Sequence, residues 1–292
     1  MNARRFFFMR KRLFYLVQFY CIYILGAYIS FSEVIDLLFR NWMGKIFYKD
    51  ARGGKSSNIK DTKTLFSKAD GAYLSGRRAL HQKILAELQK NTFQGSEINP
   101  QAFFFGGGSG TGKSVLRETI VKENQHLMSR AVQVDPDEIK LYIPEYQIYK
   151  ETYPQKAALL VHKESCDIRD ELVNQLIQKR RSFVYESTMA KPKKYKSLFT
   201  KLKKAGYGIH LYIADASLSI ARKRAAERAR KDGRAVPDKV IANTHKLVPK
   251  TFIQVRDLAD NYYIFNTEKG KKLVTSCTVK DCKLFEEFLK KK

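Results

Sequence analysis

The sequence predicts an α/β fold, a parallel β-sheet with helices packed on both faces. Three observations predict it. Short runs of aromatic and β-branched residues alternate with longer stretches whose apolar residues recur at helical spacing, as in strand–helix–strand units. A glycine-rich turn joins the first such strand to the helix after it. Acidic residues stand directly after the second and third strands, at the strand ends where open α/β sheets bind ligands.

The elements follow in order. Residues 79–88 have apolar side chains at helical spacing and form a helix before the first strand, Phe103-Phe104-Phe105. A helix begins at Val115. Residues 131–134 are a short strand ending in Asp135-Pro136-Asp137, and 161–180 form a long helix. Residues 182–185 are a strand ending in Glu186-Ser187-Thr188, and 195–205 a basic amphipathic helix. Residues 208–213 make the fourth strand. Ser217 is placed to cap a helix reaching about Lys231, because a serine oxygen there accepts from orphan N–H groups. Residues 262–265 make a fifth strand, and Lys290, Lys291 and Lys292 read as a solvated end.

Residues 107–114 fit G-x-x-x-x-G-K-[ST], the phosphate-cradling loop. The backbone N–H groups of Gly107, Gly108, Ser109, Gly110, Thr111 and Gly112 are expected to close around phosphate oxygens at a helix N-terminus. Lys113 is expected to reach the β- and γ-phosphates, and Ser114 to hold Mg²⁺. ATP and Mg²⁺ are the implied cofactors.

Around that loop the strand-end rule gathers carboxylates. Asp135 or Asp137 can accept a proton from a substrate hydroxyl or hold Mg²⁺ through water, or can simply cap the following helix. Glu186 and Thr188 occupy the corresponding place after the third strand. Arg222, Lys223, Arg224, Arg228, Arg230 and Arg234 crowd one stretch. Such runs are usually a solvated helix face, but arginines also neutralise the charge of a transferring phosphoryl group.

Composition sets the outer bounds. At 292 residues the chain is long for one α/β domain, so a domain with an appendage is expected. A net charge of +26 suits phosphate-bearing ligands, nucleic acid or an anionic membrane surface. Cys21, Cys166, Cys277 and Cys282 are scattered, without Cys or His partners at zinc spacing, and read as reduced thiols. An ATP-containing reducing compartment, the cytoplasm, is the expected home of the catalytic domain.

Residues 1–50 differ from the rest. Arg4, Arg5, Arg10, Lys11 and Arg12 precede residues 13–32, which carry no charge and are long enough to cross a bilayer as a helix. A membrane-like N-terminal helix and membrane association are therefore expected, with a signal peptide or a buried core helix as the alternatives. The basic residues before the segment predict a cytoplasmic N-terminus, yet Arg40, Lys45 and Lys49 follow it, and the topology stays open. Residues 51–60, small and polar at their start, form the linker, and 61–292 the catalytic domain.

A set of motifs stands in order along the chain: residues 106–114, Asp135-Pro136-Asp137-Glu138-Ile139-Lys140, Pro144-Glu145-Tyr146, His162-Lys163-Glu164-Ser165, Tyr185-Glu186-Ser187-Thr188 and Gly233-Arg234-Ala235-Val236-Pro237. That ordered set resembles the zeta toxin family of P-loop kinases. The resemblance runs from about Ser75 to Thr267 and implies a P-loop kinase-like fold. It also implies an activity, since characterised members phosphorylate the 3′-hydroxyl of the sugar in UDP-N-acetylglucosamine. By the same resemblance Asp137 matches the general base, with Asp135 a weaker candidate. Glu186 and Thr188 match substrate- and metal-side positions. Arg234 matches a lid arginine at the γ-phosphate, and Arg228 is chosen as its partner. One position departs from the pattern: the nucleotide-sugar arginine two residues after the threonine is Ala190 here, with Lys191 beside it.

The expected activity is a Mg²⁺/ATP-dependent kinase acting on a small-molecule hydroxyl, with a nucleotide-sugar such as UDP-N-acetylglucosamine as a candidate acceptor. A polynucleotide 5′-hydroxyl kinase is a rival, suggested by seven lysines and no acid between positions 191 and 204. Nucleic acid is the less favoured partner, because such a run also suits a solvated face or anionic lipid. A membrane-tethered module that holds nucleotide without catalysis is the rival from another class. An antitoxin-like inhibitor is an open question, since no antidote segment stands in the chain.

Overall fold

Alternation along the central strand explains the layering. In the computed structural model, which describes residues 59–232, 236–276 and 282–291, β1 (Gln101–Gly106) holds Phe103, Phe104 and Phe105, each 1% exposed or less. Successive strand side chains point to opposite faces. Phe103 and Phe105 therefore join one core with Leu116, Ile120, Val184 and Tyr212. Phe104 lies on the other face, 4.5 Å from the Phe199 ring and 5.1 Å from Tyr185. Truncating a buried phenylalanine of this kind to alanine costs about 3–5 kcal/mol.

Helices of eight residues or more are numbered α1 to α8. α1 (Ser75–Gln89) precedes β1, and α2 (Lys113–Glu123) follows the glycine-rich turn. β2 (Val132–Val134), α3 (Pro144–Thr152), α4 (His162–Gln178) and β3 (Phe183–Glu186) come next. α5 (Pro192–Lys204), β4 (Gly208–Asp215), α6 (Leu218–Asp232) and α7 (Asp238–Val255) follow. β5 (Asn261–Asn266), β6 (Lys272–Ser276) and α8 (Cys282–Leu289) end the chain.

The sheet order is β2-β3-β1-β4-β5-β6, and the first five strands run parallel. The wholly parallel sheet expected from the sequence needs correction at one edge, where β6 pairs antiparallel with β5. The reason is chain length. A parallel crossover needs a dozen or more residues, and the short turn after Asn266 allows only a hairpin. The solvated C-terminus also needs correction at one residue: Lys291 Nζ pairs with the Asp215 carboxylate and donates to Ala216 O at 2.8 Å.

Register positions the site. Phe105 lies opposite Glu186, and Val134 opposite Tyr185. Asp135, Glu186 and Gly106 thus leave the sheet side by side at the carboxyl edge. The expected membrane-like helix at 13–32 and most of the linker lie outside the described residues, as does Arg234. Among the described residues no helix is long and apolar enough to cross a membrane.

A buried ion cluster ties three helices together. Arg77 on α1 donates to Glu145 of α3 at 2.9 and 2.7 Å and to Glu164 of α4 at 2.5 and 2.8 Å. His81 Nε2 meets Glu164 at 2.6 Å. Glu145 and Glu164, read from the sequence as motif residues, thus hold helices together.

Candidate active site

The glycine-rich turn owes its course to positions no side chain could share. Gly107, Gly110 and Gly112 have φ of +147°, +81° and +82°, in the region that favours glycine. A Cβ on Gly110 would lie 2.2 Å from Ala221 O, and one on Gly108 2.5 Å from His245 Cδ2. Neighbouring elements pin the loop. Thr244 Oγ1 accepts from Ser109 N at 3.1 Å, His245 Nε2 donates to Ser109 O at 3.3 Å, and Thr267 Oγ1 donates to Thr111 O at 2.5 Å. Within the loop Thr111 Oγ1 donates to Gly108 O at 2.9 Å, and Lys113 Nζ to the same carbonyl at 3.3 Å.

The helix after the loop meets the third strand end. Ser114 Oγ donates to Glu186 Oε1 at 2.8 Å, and Arg117 Nε stands 3.2 Å from Glu186 Oε2. That ion pair lacks hydrogen-bond alignment, and Glu186 Oε2 is a buried oxygen without a hydrogen-bond partner. Burial lowers the pKa of Lys113, against the pull of Glu186, while Arg228 pushes the same way as burial. Arg228 Nε is itself buried with no hydrogen-bond partner.

At the end of the second strand, Asp135 accepts from Asp137 N at 2.8 Å and so caps the short helix after β2. Burial, helped by the charges of Glu186 and Asp137, pushes the Asp135 carboxyl up to about 7. The Asp137 carboxylate is half-exposed and receives a 2.6 Å bond from the buried Lys140. Burial pulls the His162 imidazole below its ordinary value; Lys140, Arg169 and Lys191 push the same way and Asp137 opposes them. Thr188 stands half-buried two residues beyond Glu186, next to Met189 at φ +51°.

The structure therefore brings Lys113, Ser114, Glu186, Asp135, Asp137 and Arg228 into one electrostatic neighbourhood. It also sorts the arginine-rich stretch. Arg222 is spent on Asp238 at 2.6 and 2.8 Å, and Arg224 donates to Thr267 O at 2.7 Å. Sequence reasoning missed Arg117, Thr244, His245 and Thr267. Arg117 carried a signal, one helical turn beyond Ser114 on the same face. The other three contact the loop across more than 130 positions, and no local pattern announces them.

A glycine cradle at a helix N-terminus, on a sheet of order 2-3-1-4-5 with carboxylates at neighbouring strand ends, defines a P-loop kinase-like protein. The family model described as zeta toxin matches residues 85–275, and the chain belongs to the zeta toxin family. Three solved structures share the fold. The AvrRxo1-ORF1:-ORF2 complex matches at a TM-score of 0.65 and 19% identity over 80% of this chain and 83% of that one. AvrRxo1-ORF1:AvrRxo1-ORF2 with ATP gives 0.64 and 19% over 80% and 82%. A structure of the PezAT chromosomal toxin-antitoxin system of Streptococcus pneumoniae gives 0.58 and 18% over 74% and 88%. No curated protein matches the chain significantly in sequence.

Proposed function

We propose that this chain is a Mg²⁺/ATP-dependent kinase that transfers the γ-phosphoryl group to a hydroxyl of a small molecule. The observation that carries the reading is the convergence of Ser114 and Lys113 with the buried Glu186 beside Asp135 and Asp137. The glycine-rich turn fits phosphates, because the positive φ of Gly107, Gly110 and Gly112 curls the backbone at a helix N-terminus, where N–H groups favour anions. The Ser114 hydroxyl and the orphaned Glu186 oxygen are a donor set suited to Mg²⁺. Membership of the zeta toxin family and a fold neighbour solved with ATP support it too.

In this reading the loop N–H groups and Lys113 hold the phosphates, and Ser114 with Glu186 holds the metal. Bound Mg²⁺ supplies charge neutralisation on the phosphate oxygens. Asp137 accepts the acceptor hydroxyl's proton as the new O–P bond forms and ADP leaves. Arg228, its guanidinium nitrogen unpartnered, and the lid residue Arg234 steady the transferring group. Asp135 and Thr188 flank the acceptor. A nucleotide-sugar such as UDP-N-acetylglucosamine is one candidate acceptor, with Lys191 beside the uncharged Ala190. The toxin-antitoxin neighbour supports an inhibitory protein partner as part of the same reading. Tethering by residues 13–32, with the kinase domain in the cytoplasm, completes it.

The test is label transfer from γ-labelled ATP with Mg²⁺ to a panel of nucleotide-sugars and to a small-molecule extract. Transfer that is lost in Lys113→Ala and Asp137→Asn supports the reading. Nucleotide binding without transfer to any acceptor sinks it.

A further inference from the structure

The lysine run on α5 is divided by the fold into two sets. Tyr195, Phe199 and Leu202 are buried, which fixes the opposite face outward. On that face Lys193, Lys196, Lys201 and Lys204 recur at three- to five-residue intervals and line one open groove of about 770 Å³ with Ser197 and Thr200. Other lysines of the run are spent elsewhere: Lys194 pairs with Asp170 and Lys203 with Asp260, each at 2.7 Å. Lys201 donates to the Asn174 side-chain oxygen at 2.8 Å. Among the described residues Lys193, Lys196 and Lys204 have no acidic partner, and no acid lines the groove. Such a surface repels itself until anions cover it.

We infer that this face docks the domain on an anionic lipid surface. Its chemistry favours headgroup phosphates over a polynucleotide. Single-strand binding relies on exposed aromatic platforms, whereas the aromatics of α5 are buried beneath the lysines. The groove has no arginine, so it lacks the planar fork that reads a guanine edge or clamps a phosphate bidentately. Lysine ammonium groups, as flexible point charges flanked by hydroxyls, match a fluid array of phosphates. The sequence supplies a second membrane-directed feature in the uncharged residues 13–32 behind five basic residues. The inference holds whether or not the kinase reading does.

The test uses the full chain and flotation with vesicles of pure phosphatidylcholine or of phosphatidylcholine with about 30% phosphatidylserine, a composition that sets a negative surface potential. Residues 1–50 are common to every protein compared, so a change in the anionic-to-neutral binding ratio between variants isolates the groove. Each unpaired lysine is worth roughly fivefold at low salt, so K193E/K196E/K204E is expected to lower that ratio at least tenfold. The Lys→Arg triple variant retains it, and the gap narrows as salt screens the charges. Thermal midpoint and nucleotide affinity stay at the wild-type level, because these side chains are exposed and unpaired. An unchanged ratio overturns the inference. So does loss of binding to a single-stranded oligonucleotide with the vesicle ratio intact, which reassigns the groove to nucleic acid.

Discussion

Ser114 and Glu186, 72 positions apart, are joined by a 2.8 Å hydrogen bond from hydroxyl to carboxylate. The register of β1 with β3 makes the bond, since Phe105 lies opposite Glu186. It leaves Glu186 Oε2 buried and short of a hydrogen bond. Replacing Glu186 with glutamine keeps the shape and removes the charge. Under the kinase reading kcat/KM falls about 10²-fold, roughly 2.7 kcal/mol, and the Mg²⁺ concentration for half-maximal rate rises. Mg²⁺ titrations of initial rate check it; an unchanged Mg²⁺ requirement removes Glu186 from the metal site.

His245 sits against the glycine cradle, and this contact can be read by a double-mutant cycle. A Cβ on Gly108 meets the imidazole, so Gly108→Ala is expected to weaken ATP binding about tenfold or more through displacement of the ring or the loop. In a His245→Ala background the same change costs much less. Gly110→Ala behaves otherwise, because its Cβ meets backbone Ala221 O and its φ is +81°. His245→Ala gives it no relief. Calorimetric ATP titrations of the five variants separate the two cases.

The arginines of α6 are predicted to divide as their contacts do. Arg222 is exposed and paired with Asp238, and Arg222→Ala leaves kcat within about twofold, as exposed ion pairs contribute little. Arg228 carries a buried Nε with no hydrogen-bond partner and an influence on Lys113. Arg228→Ala lowers kcat about 10²- to 10³-fold with a smaller change in KM for ATP, the mark of a group acting in the transition state. Equal effects of the two substitutions contradict this division.

Much of this was legible in the sequence because it is local. Phe103 to Ser114 carries strand, turn and helix in one stretch, and Asp135 and Glu186 stand at strand ends that composition alone marks. α7 was not legible: Pro249 lies inside it, against the usual rule, and only packing makes the helix visible. β6 begins at Lys272 and pairs for a few residues only, so no alternating run marks it. The roles of Thr244, His245 and Thr267 depend on contacts that arise once the chain has folded. Lys291, more than 70 positions further along the chain, found the half-buried Asp215 by the same route.

The Arg77 cluster predicts how the fold responds to acid. Burial raises the pKa of Glu164, but hydrogen bonds from Arg77 and His81 outweigh it and hold the carboxyl at about 2. A depressed carboxyl pKa adds stability above its unfolded value near 4.5 and loses it as pH falls through about 2. Urea unfolding midpoints of the wild-type chain should therefore drop across that window, and those of Glu164→Gln should drop less. Arg77→Met takes the arginine from two buried carboxylates, Glu145 and Glu164, leaves Glu164 only its His81 contact, and is expected to cost about 3–5 kcal/mol at neutral pH. Parallel stability curves for the wild type and Glu164→Gln from pH 7 to pH 3 would refute the assignment. The cluster would then hold α1, α3 and α4 together by packing alone.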